Sequence, residues 1–267
     1  MKRADELIFT RGFAESRSKA RALIEDGCVM INSTRVDKPS RKFPEDAKIE
    51  ISDSAAATRY VSRAGLKLEG ILRKFNVDLS GIDILDAGAS TGGFTDCALK
   101  FGANCSVCVD VGSGQLHPKL LADERVVNME KTDIRTLTPE SFNGKKFGFI
   151  CGDLSFISIE KIFSYLWELL ADNGKIAILV KPQFESSPKL MRLRGGVLKP
   201  EESAEAFDKI SNYISTEFPD AKIIGSMESP IRGGDGNIEY MLLIKKADVR
   251  QLFSFSIISL CQNSLPT

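Results

Sequence analysis

The sequence has little of what defines several large classes of protein. Its 267 residues include one histidine, His117, so a metal site built from imidazole groups would have few ligands. It has no run of about 18 consecutive apolar residues, which a membrane-spanning helix would require. The first residues, MKRADELIF, lack the apolar segment of a secretory signal. We therefore expect a cytoplasmic protein that does not insert into a membrane.

Net charge is also absent. The chain carries 36 Lys and Arg residues against 36 Asp and Glu residues. A strongly basic chain would favour a nucleic-acid partner, but this balance neither favours nor excludes one, so only local patches can decide. The length is enough for one large domain and one small one.

The cysteines are few and scattered. One pair forms a CxxC, Cys105 and Cys108, but a zinc site would need two more soft ligands, so we predict no metal site. Their mostly apolar surroundings are typical of free thiols in a reducing cytoplasm. The cysteines are Cys28, Cys97, Cys105, Cys108, Cys151 and Cys261.

Residues 1–52 have the pattern of a small separate unit. Apolar spacing predicts two short helices, the second over residues 15–25, and Gly27 follows as a glycine cap. The segments CVMIN and KIEI predict short strands. The small and polar stretch 52–60 predicts a linker.

Basic residues are unevenly placed within this unit. Residues 1–52 contain 11 Lys and Arg residues and 9 Asp and Glu residues, a net charge of only +2. Several basic residues crowd the start of the second helix, which is typical of a solvated helix face or of a surface that contacts phosphates. The candidate RNA contacts are Arg3, Arg11, Arg17, Lys19 and Arg21.

The segment SRSKARALIEDGCVMINSTRV resembles the S-four type RNA-binding domain, which is named after a ribosomal protein. The resemblance implies two helices that dock on structured RNA through Arg and Lys contacts to phosphates. Such contacts give affinity and salt dependence but little sequence choice. The matching residues are Ser16, Arg17, Ala20, Leu23, Ile24, Gly27, Val29, Ile31 and Asn32.

Strand and helix patterns alternate from Gly81 onwards, which predicts an α/β fold with a parallel sheet and helices on both faces. The longer helices are predicted over residues 157–174 and 201–218. Ligands of such sheets bind at the carboxyl ends of the strands. The side chains predicted at that rim are Asp86, Asp110, Asp153 and Lys181.

A glycine-rich turn follows the first strand of this sheet. Small residues let a ligand approach the backbone, and the helix behind the turn offers free N–H groups. The turn differs from the GxGxxG fingerprint of dinucleotide sites. The cofactor-binding residues predicted here are Asp86, Gly88, Ala89, Ser90, Thr91, Gly92, Gly93 and Phe94.

Two further aspartates follow the next strands. Asp110 lies 22 residues after Gly88, where an acidic group fits ribose hydroxyls. Asp133, in KTDIR, is placed to accept a hydrogen bond from an adenine amino group. Each aspartate alone also fits a cap or a turn. Taken with the glycine turn, they favour S-adenosylmethionine over a nicotinamide cofactor.

Five motifs then support a closer comparison: DAGASTGGFTD, VDVGSGQL, GDLSFISI, LVKPQFE and SPIRGGDGNIEY. On these motifs the chain resembles the TlyA family of ribosomal-RNA 2′-O-methyltransferases, historically labelled hemolysin A, over roughly residues 3–245. The resemblance implies a Rossmann-like, seven-stranded methyltransferase fold of the FtsJ type, mostly parallel with its last strand antiparallel. A small α+β RNA-binding domain precedes it.

The resemblance also implies an activity and a site. The activity is S-adenosylmethionine-dependent methylation of a cytidine 2′-hydroxyl in ribosomal RNA of the 50S subunit, and in longer members also of the 30S subunit. The FtsJ-type Lys-Asp-Lys-Glu tetrad is matched by Lys67, Asp153, Lys181 and Glu239. By resemblance, Lys181 acts on the hydroxyl, and Asp153, which also borders the methyl donor, helps to set the charge state of Lys181. Lys67 and Glu239 position the pair and the ribose.

The placement of Lys181 at the end of a core strand fits this reaction. A ribose hydroxyl is a poor nucleophile until its proton leaves, so an acceptor or a positive charge must lie beside the oxygen. A lysine with a lowered pKa can take the proton, and a protonated lysine can instead stabilise the forming alkoxide. Taken singly, Lys67 fits the surface of an amphipathic helix, Glu239 a strand edge and Asp153 a helix cap.

Three other functions stay open. The older family name suggests a membrane-lytic protein, although no long basic amphipathic helix supports it. Another alternative is an RNA-binding ribosome assembly factor whose methyltransferase domain does not turn over, although the intact Asp153, Lys181 and Glu239 argue against it. A small-molecule methyltransferase would leave that unit unexplained.

We divide the chain into an RNA-binding domain with its linker (1–58), a methyltransferase domain (59–246) and a tail of unknown role (247–267). The apolar patch of the tail, 253–260, matches no motif. The target nucleotide and the oligomeric state are not predicted from the sequence.

Overall fold

A computed structural model describes residues 1–247 apart from 15, 26, 52–58, 234 and 235. Most of the predicted linker, and the predicted tail after Ala247, lie outside the described residues. Among the helices that the structure does describe, none is both long and apolar enough to cross a membrane.

The N-terminal unit consists of two helices and short strands. The strands form a three-stranded antiparallel sheet in the order β3-β2-β5 and a separate β1-β4 pair. The elements are β1 (Lys2–Arg3), α1 (Ala4–Thr10), α2 (Arg17–Glu25), β2 (Val29–Ile31), β3 (Thr34–Arg35), β4 (Lys42–Phe43) and β5 (Ile49–Ile51).

A small apolar core holds this unit together. Leu7 and Ile8 of α1 and Ile24 of α2 are fully buried against Val29 and Ile31 of β2. This confirms the two predicted helices and the strands predicted at CVMIN and KIEI. The strands β1, β3 and β4 were not predicted because two residues are too few to show an alternating pattern.

Gly27 ends α2 as the sequence predicts. Its φ angle of 70° lies in the left-handed region, which glycine adopts without a steric penalty. The N–H groups of Gly27 and Cys28 then bond to the carbonyl oxygens of Ile24 and Leu23, each at 2.9 Å. These bonds satisfy carbonyl groups that the end of a helix would otherwise leave without partners.

The second unit is built on a seven-stranded sheet in the order β11-β12-β10-β9-β6-β7-β8. Strand β12 runs antiparallel to both of its neighbours, and the other neighbouring strands are parallel. This confirms the predicted fold class. The strands are β6 (Asp83–Ala87), β7 (Cys105–Val109), β8 (Val126–Met129), β9 (Phe147–Gly152), β10 (Leu170–Val180), β11 (Ala221–Glu228) and β12 (Tyr240–Lys246).

Helices cover both faces of this sheet, as predicted. On one face α3 and α4 pack on the strands, and on the other face α6 and α9 do so. Each face buries a separate apolar cluster, so the sheet is shielded from water on both sides. The helices are α3 (Ala64–Lys74), α4 (Gly93–Lys100), α5 (Pro118–Leu121), α6 (Phe163–Leu169), α7 (Pro182–Glu185), α8 (Pro188–Leu193) and α9 (Pro200–Glu217).

The predicted helix over residues 157–174 is wrong in its bounds. A 3-10 turn (Ile159–Lys161) precedes α6, which ends at Leu169, and Leu170 already pairs with β9 as the first residue of β10. Pairing with the sheet therefore overrides the helical pattern of the sequence WELLADNG. The helix predicted over residues 201–218 agrees with α9.

Candidate active site

A cleft of about 700 Å³ opens at the carboxyl edge of the sheet. Asp86, at the end of β6, lines it together with Asp153 and Lys181, which directly follow β9 and β10. These strands are neighbours in the sheet, so their ends deliver the three side chains to one place. Lys67 of α3 and Glu239, which directly precedes β12, line the same cleft.

The glycine turn forms one wall of the cleft. Gly88 has a φ angle of 80°, and a β-carbon there would lie 3.1 Å from the Asp153 carbonyl oxygen. A β-carbon at Gly93 would lie 2.3 Å from the Ser62 hydroxyl. The turn is thus a close-packed backbone surface at the beginning of α4, without room for side chains at these two positions. The lining residues of the turn are Gly88, Ala89, Ser90, Thr91, Gly93 and Phe94.

Asp86 lies on the floor of the cleft and is 1% exposed. Its Oδ2 accepts hydrogen bonds from the backbone N–H of Thr95, at 3.0 Å, and from the Thr95 hydroxyl, at 2.8 Å. Its Oδ1 is buried and has no hydrogen-bond partner among the described residues. Burial raises the pKa of Asp86 to about 7 despite the two bonds from Thr95.

Asp110 supports the glycine turn from the end of β7. Its two carboxylate oxygens accept from the backbone N–H of Ser90, at 2.8 Å, and of Gly112, at 2.7 Å. The Ser90 hydroxyl in turn contacts the Gln115 side chain at 3.1 Å. Ser90 and Gln115 both line the cleft, so Asp110 adjoins the lining through the turn.

Asp133 is engaged elsewhere in the structure. Its carboxylate pairs with the Arg135 guanidinium, at 2.6 Å, and accepts from the Arg135 backbone N–H, at 2.9 Å. It therefore acts as the cap of a 3-10 turn (Ile134–Thr136). In the described part of the chain, the lining of the cleft does not include Asp133.

The four residues of the predicted tetrad are brought together as a chain of charges. Lys181 Nζ lies 2.7 Å from Asp153 Oδ1, and Lys67 Nζ lies 3.3 Å from Asp153 Oδ2. Lys67 Nζ also donates to Glu239 Oε2 at 2.8 Å. The signs alternate along this chain, so each charge has an opposite neighbour in a site that excludes most water.

These neighbours fix the charge states at the centre of the chain. Burial opposes ionisation of Asp153, but the ammonium groups of Lys181 and Lys67 outweigh it and lower the pKa of Asp153 well below its usual range. Burial likewise opposes the charge on Lys67, but the carboxylates of Asp153 and Glu239 raise its pKa above the ordinary value. Both groups therefore stay ionised across the physiological pH range.

A second set of contacts joins the loops that carry Asp153 and Lys181. Lys181 Nζ donates to the Ser155 hydroxyl at 2.7 Å. Four residues further on, the buried Glu185 carboxylate accepts from the Ser158 hydroxyl, at 2.5 Å, and from the backbone N–H of Ile159, at 2.9 Å. The segment 181–185 is thus bonded to the segment 155–159 at both its first and its last residue.

An aromatic pair lies between those two ties. The rings of Phe156 and Phe184 are 5.1 Å apart, and both residues line the cleft. Phe156 is 79% exposed and has a φ angle of 64°, which is unusual for a residue with a side chain. Sequence reasoning did not single out Phe156 or Glu185, although both lie within quoted motifs.

Asn237 connects the segment that precedes β12 to the segment before α9. Its side-chain oxygen accepts from the Leu198 backbone N–H at 2.9 Å, and its amide group donates to the Gly196 carbonyl at 2.8 Å. Asn237 is 1% exposed and lies two residues before Glu239. It was also missed, and its position beside Glu239 in GNIEY was the available signal.

The predicted RNA contacts differ in their surroundings. Arg3 and Arg17 both bond to the Asp5 carboxylate. Arg11 donates to the Ala47 carbonyl oxygen. Arg21 lines the cleft, and Lys19 lies two residues before it on α2. The described partners of the predicted contacts thus differ from one residue to the next.

The CxxC pair does not form half of a metal site. Cys105 and Cys108 lie three residues apart on β7, so their side chains point to opposite faces of the sheet. Cys105 Sγ contacts Asp83, at 2.9 Å, and Cys108 Sγ contacts Thr95, at 3.1 Å. Within the described ranges, no three potential ligands are grouped around one point.

The second unit thus has a mostly parallel sheet, a glycine turn after β6 and an antiparallel strand, β12, next to one edge. The model of the FtsJ-like methyltransferase family matches residues 60–246, so the chain belongs to this family. The S4 domain model matches residues 2–49. The resemblance inferred from the sequence motifs is therefore confirmed.

Named relatives extend over both units. Hemolysin A of Brachyspira hyodysenteriae is 39% identical and covers 90% of this chain and 98% of its own. The 16S/23S rRNA (cytidine-2'-O)-methyltransferase TlyA of Mycobacterium tuberculosis is 36% identical and covers 94% of this chain and 92% of its own. A solved structure from Streptococcus thermophilus is 35% identical, with a TM-score of 0.70 over 92% of this chain and 89% of that one.

Proposed function

We propose that the protein transfers a methyl group from S-adenosylmethionine to the 2′-hydroxyl of a cytidine in ribosomal RNA, in the cytoplasm. The observation that carries this proposal is the charge chain Lys181–Asp153–Lys67–Glu239 beside a glycine turn. The name of the relative TlyA states that it methylates cytidine 2′-hydroxyls of 16S and 23S rRNA. The N-terminal S4 domain match supports an RNA substrate over a small molecule.

The residues of the cleft fit the cofactor. A side chain at Gly88 or Gly93 would collide with neighbouring protein atoms, so the turn offers bare backbone at these two positions. Asp86 Oδ1 is a buried acceptor without a partner among the described residues. We assign cofactor binding to the turn from Asp86 to Phe94, together with Asp110 and Asp153. The Asp133 carboxylate already accepts from Arg135, so an adenine amino group would share this carboxylate with the guanidinium. When bound, S-adenosylmethionine supplies an electrophilic methyl group.

Lys181 is the residue that we expect to contact the ribose hydroxyl. Its ammonium group already has Asp153 as its counter-ion and donates to Ser155. A positive charge beside the ribose oxygen stabilises the negative charge that develops there as the oxygen attacks the methyl group and the hydroxyl proton passes to solvent water. Of the two roles that the sequence left open, the ion pair with Asp153 favours this one.

Lys67 and Glu239 act through Asp153 and are positioning residues. Lys67 holds the second oxygen of Asp153, and Glu239 holds Lys67. This arrangement fixes the carboxylate to which Lys181 is paired, so that Lys181 has one orientation before the substrate arrives. Preorganised charges of this kind stabilise a transition state without reorganising during the reaction.

The first test uses purified protein, tritiated S-adenosylmethionine and separated 30S and 50S subunits from a strain that lacks the enzyme. We expect wild-type protein to label RNA in the 50S subunit, and Lys181→Ala to leave it unlabelled. Lys146→Ala is the matched control, because Lys146 is an exposed lysine beside the opposite end of β9. It should label RNA at the wild-type rate.

The outcomes separate the candidate functions. Label in the 30S subunit as well would extend the substrate to both subunits. If neither subunit is labelled while calorimetry shows that the cofactor binds, the methyltransferase proposal is wrong, and a non-catalytic assembly factor takes its place. Lys181→Arg keeps the charge but cannot accept a proton, so residual activity in this variant supports the electrostatic role.

A further inference from the structure

A buried acid lies beneath two arginines of the N-terminal unit. The Asp5 side chain is 7% exposed and accepts from Arg3 Nε, at 2.9 Å, and from Arg3 Nη2, at 3.1 Å. Its Oδ2 also accepts from Arg17 Nη2, at 3.0 Å. Asp5 belongs to α1 and Arg17 begins α2, so one carboxylate joins the two helices of the unit.

The two arginines bond to the buried Asp5 carboxylate and are also exposed to solvent. Their side chains are 41% exposed at Arg3 and 53% exposed at Arg17, whereas Asp5 itself is almost covered. The bonds to Asp5 use two N–H donors of Arg3 and one of Arg17. Burial opposes ionisation of Asp5, but bonds from Arg3 and Arg17 lower its pKa.

We propose that Asp5 is a positioning residue for RNA binding, whose carboxylate holds Arg3 and Arg17 in one arrangement that contacts adjacent phosphates of ribosomal RNA. This inference rests on the proposed function, because it takes the RNA backbone as the partner. It adds a residue that the sequence did not suggest, since an acid on a basic surface would ordinarily oppose binding.

The physical reason is the ordering of two long side chains. Arginine has several rotatable bonds, and two guanidinium groups close together repel each other. Asp5 offsets that repulsion and removes rotamer freedom before RNA arrives, so less freedom is lost on binding. One negative charge between two positive charges still leaves a local charge of +1, and planar guanidinium groups are suited to binding phosphate oxygens.

The proposal and simple charge counting predict opposite results for Asp5→Asn. Removing a negative charge from the domain should tighten RNA binding if only net charge matters. If Asp5 positions the arginines, the variant binds more weakly, by about tenfold, which corresponds to about 1.4 kcal/mol. The salt dependence of binding should also become shallower, because fewer phosphate contacts are formed.

The experiment measures binding of the full-length protein to 50S and 30S subunits from a strain that lacks the enzyme, by sedimentation at several salt concentrations. Asp37→Asn is the matched control, since Asp37 is an exposed acid of the same domain. It should bind at least as tightly as wild type. Binding is also measured for the double variant Arg3→Ala/Arg17→Ala and for the same variant carrying Asp5→Asn.

The double-alanine background separates positioning from folding. With both arginines removed, Asp5 has nothing to position, and Asp5→Asn should not weaken binding further. Equal weakening in both backgrounds would mean a damaged domain and would overturn the proposal, as would wild-type or tighter binding by Asp5→Asn alone. If wild-type protein binds and labels neither subunit, the proposed function itself fails, and this inference fails with it.

Discussion

Lys67 and Glu239 are 172 residues apart in the sequence and are joined by a buried hydrogen bond of 2.8 Å. Lys67 belongs to a helix that precedes the sheet, and Glu239 directly precedes the last strand of the sheet. Through Lys67 this bond reaches Asp153, and through Asp153 it reaches Lys181. The candidate site therefore depends on contacts between the most distant parts of the second unit.

Replacing Lys67 by methionine tests that dependence. The change leaves the buried Glu239 carboxylate without its ammonium partner, and loss of one member of a buried ion pair typically costs about 3–5 kcal/mol. We expect a loss of this order in the free energy of urea unfolding, together with loss of methyl transfer. The double variant Lys67→Met/Glu239→Gln should regain stability but not activity. Wild-type stability of Lys67→Met would contradict the ion-pair account.

Asp86 should make stability depend on pH in an unusual direction. Its folded-state pKa is about 7, raised from an ordinary value of 3.8, so the folded protein holds a proton that the unfolded chain releases. Its contribution to stability is therefore complete below about pH 4 and is lost as the pH rises to about 7. Other acids, such as Asp83 with a pKa lowered to about 2, act in the opposite sense.

Asp86→Asn isolates this contribution. The variant cannot titrate at this position. The unfolding free energy of the wild type should therefore fall relative to that of the variant as the pH rises from 5 to 8. Chemical unfolding at several pH values measures it. A difference that does not change with pH would show that Asp86 is ionised throughout the range.

Glu185 is expected to position Lys181 through the tie between their loops. Glu185→Ala removes the acceptor for the Ser158 hydroxyl and the Ile159 N–H, so the loop that carries Lys181 can shift. A displacement of about 1 Å at a reacting group can cost about a hundredfold in rate. We expect kcat to fall by about ten- to a hundredfold, with an unchanged Kd for S-adenosylmethionine.

Glu160→Ala is the comparison for Glu185. Glu160 lies within the 3-10 turn whose first N–H donates to Glu185, but its own carboxylate pairs with Lys209, at 3.1 Å. It should retain wild-type kcat. Equal losses in both variants, or a Kd effect at Glu185 alone, would argue against a positioning role.

Gly88→Ala tests the glycine turn as a cofactor wall. Alanine at a φ of 80° pays a backbone penalty of about 1–2 kcal/mol, and its β-carbon would press on the Asp153 carbonyl. We expect affinity for S-adenosylmethionine, measured by calorimetry, to fall at least about tenfold. Gly81→Ala shares the positive φ but has open space around it, so it should lose stability without losing affinity.

The sequence predicted the positions at the rim of the sheet because one rule governs them. Asp86, Asp153 and Lys181 end or follow parallel strands, and such ends meet at one edge. Lys67 and Glu239 do not follow from this rule. Taken singly they fitted a helix surface and a strand edge, and only the family resemblance placed them in the site, where both are buried.

Other features depend on partners that a sequence pattern does not reveal. Asp133 was predicted as an adenine contact, and the structure adds Arg135, two residues on, as a partner of its carboxylate. The polar ties of Glu185 and Asn237 join segments 26 to 41 residues away in the chain. No local periodicity encodes such long-range pairs, so they required the folded structure.

The place of β12 in the sheet has a consequence for synthesis of the protein. This strand fits between β10 and β11, both of which are made before it, and it brings Glu239 to the cleft. During synthesis, Lys67, Asp153 and Lys181 therefore leave the ribosome before Glu239 does. The charge chain Lys181–Asp153–Lys67–Glu239 can form in full only once the segment leading into β12 has been made, which is late in the synthesis of the described residues.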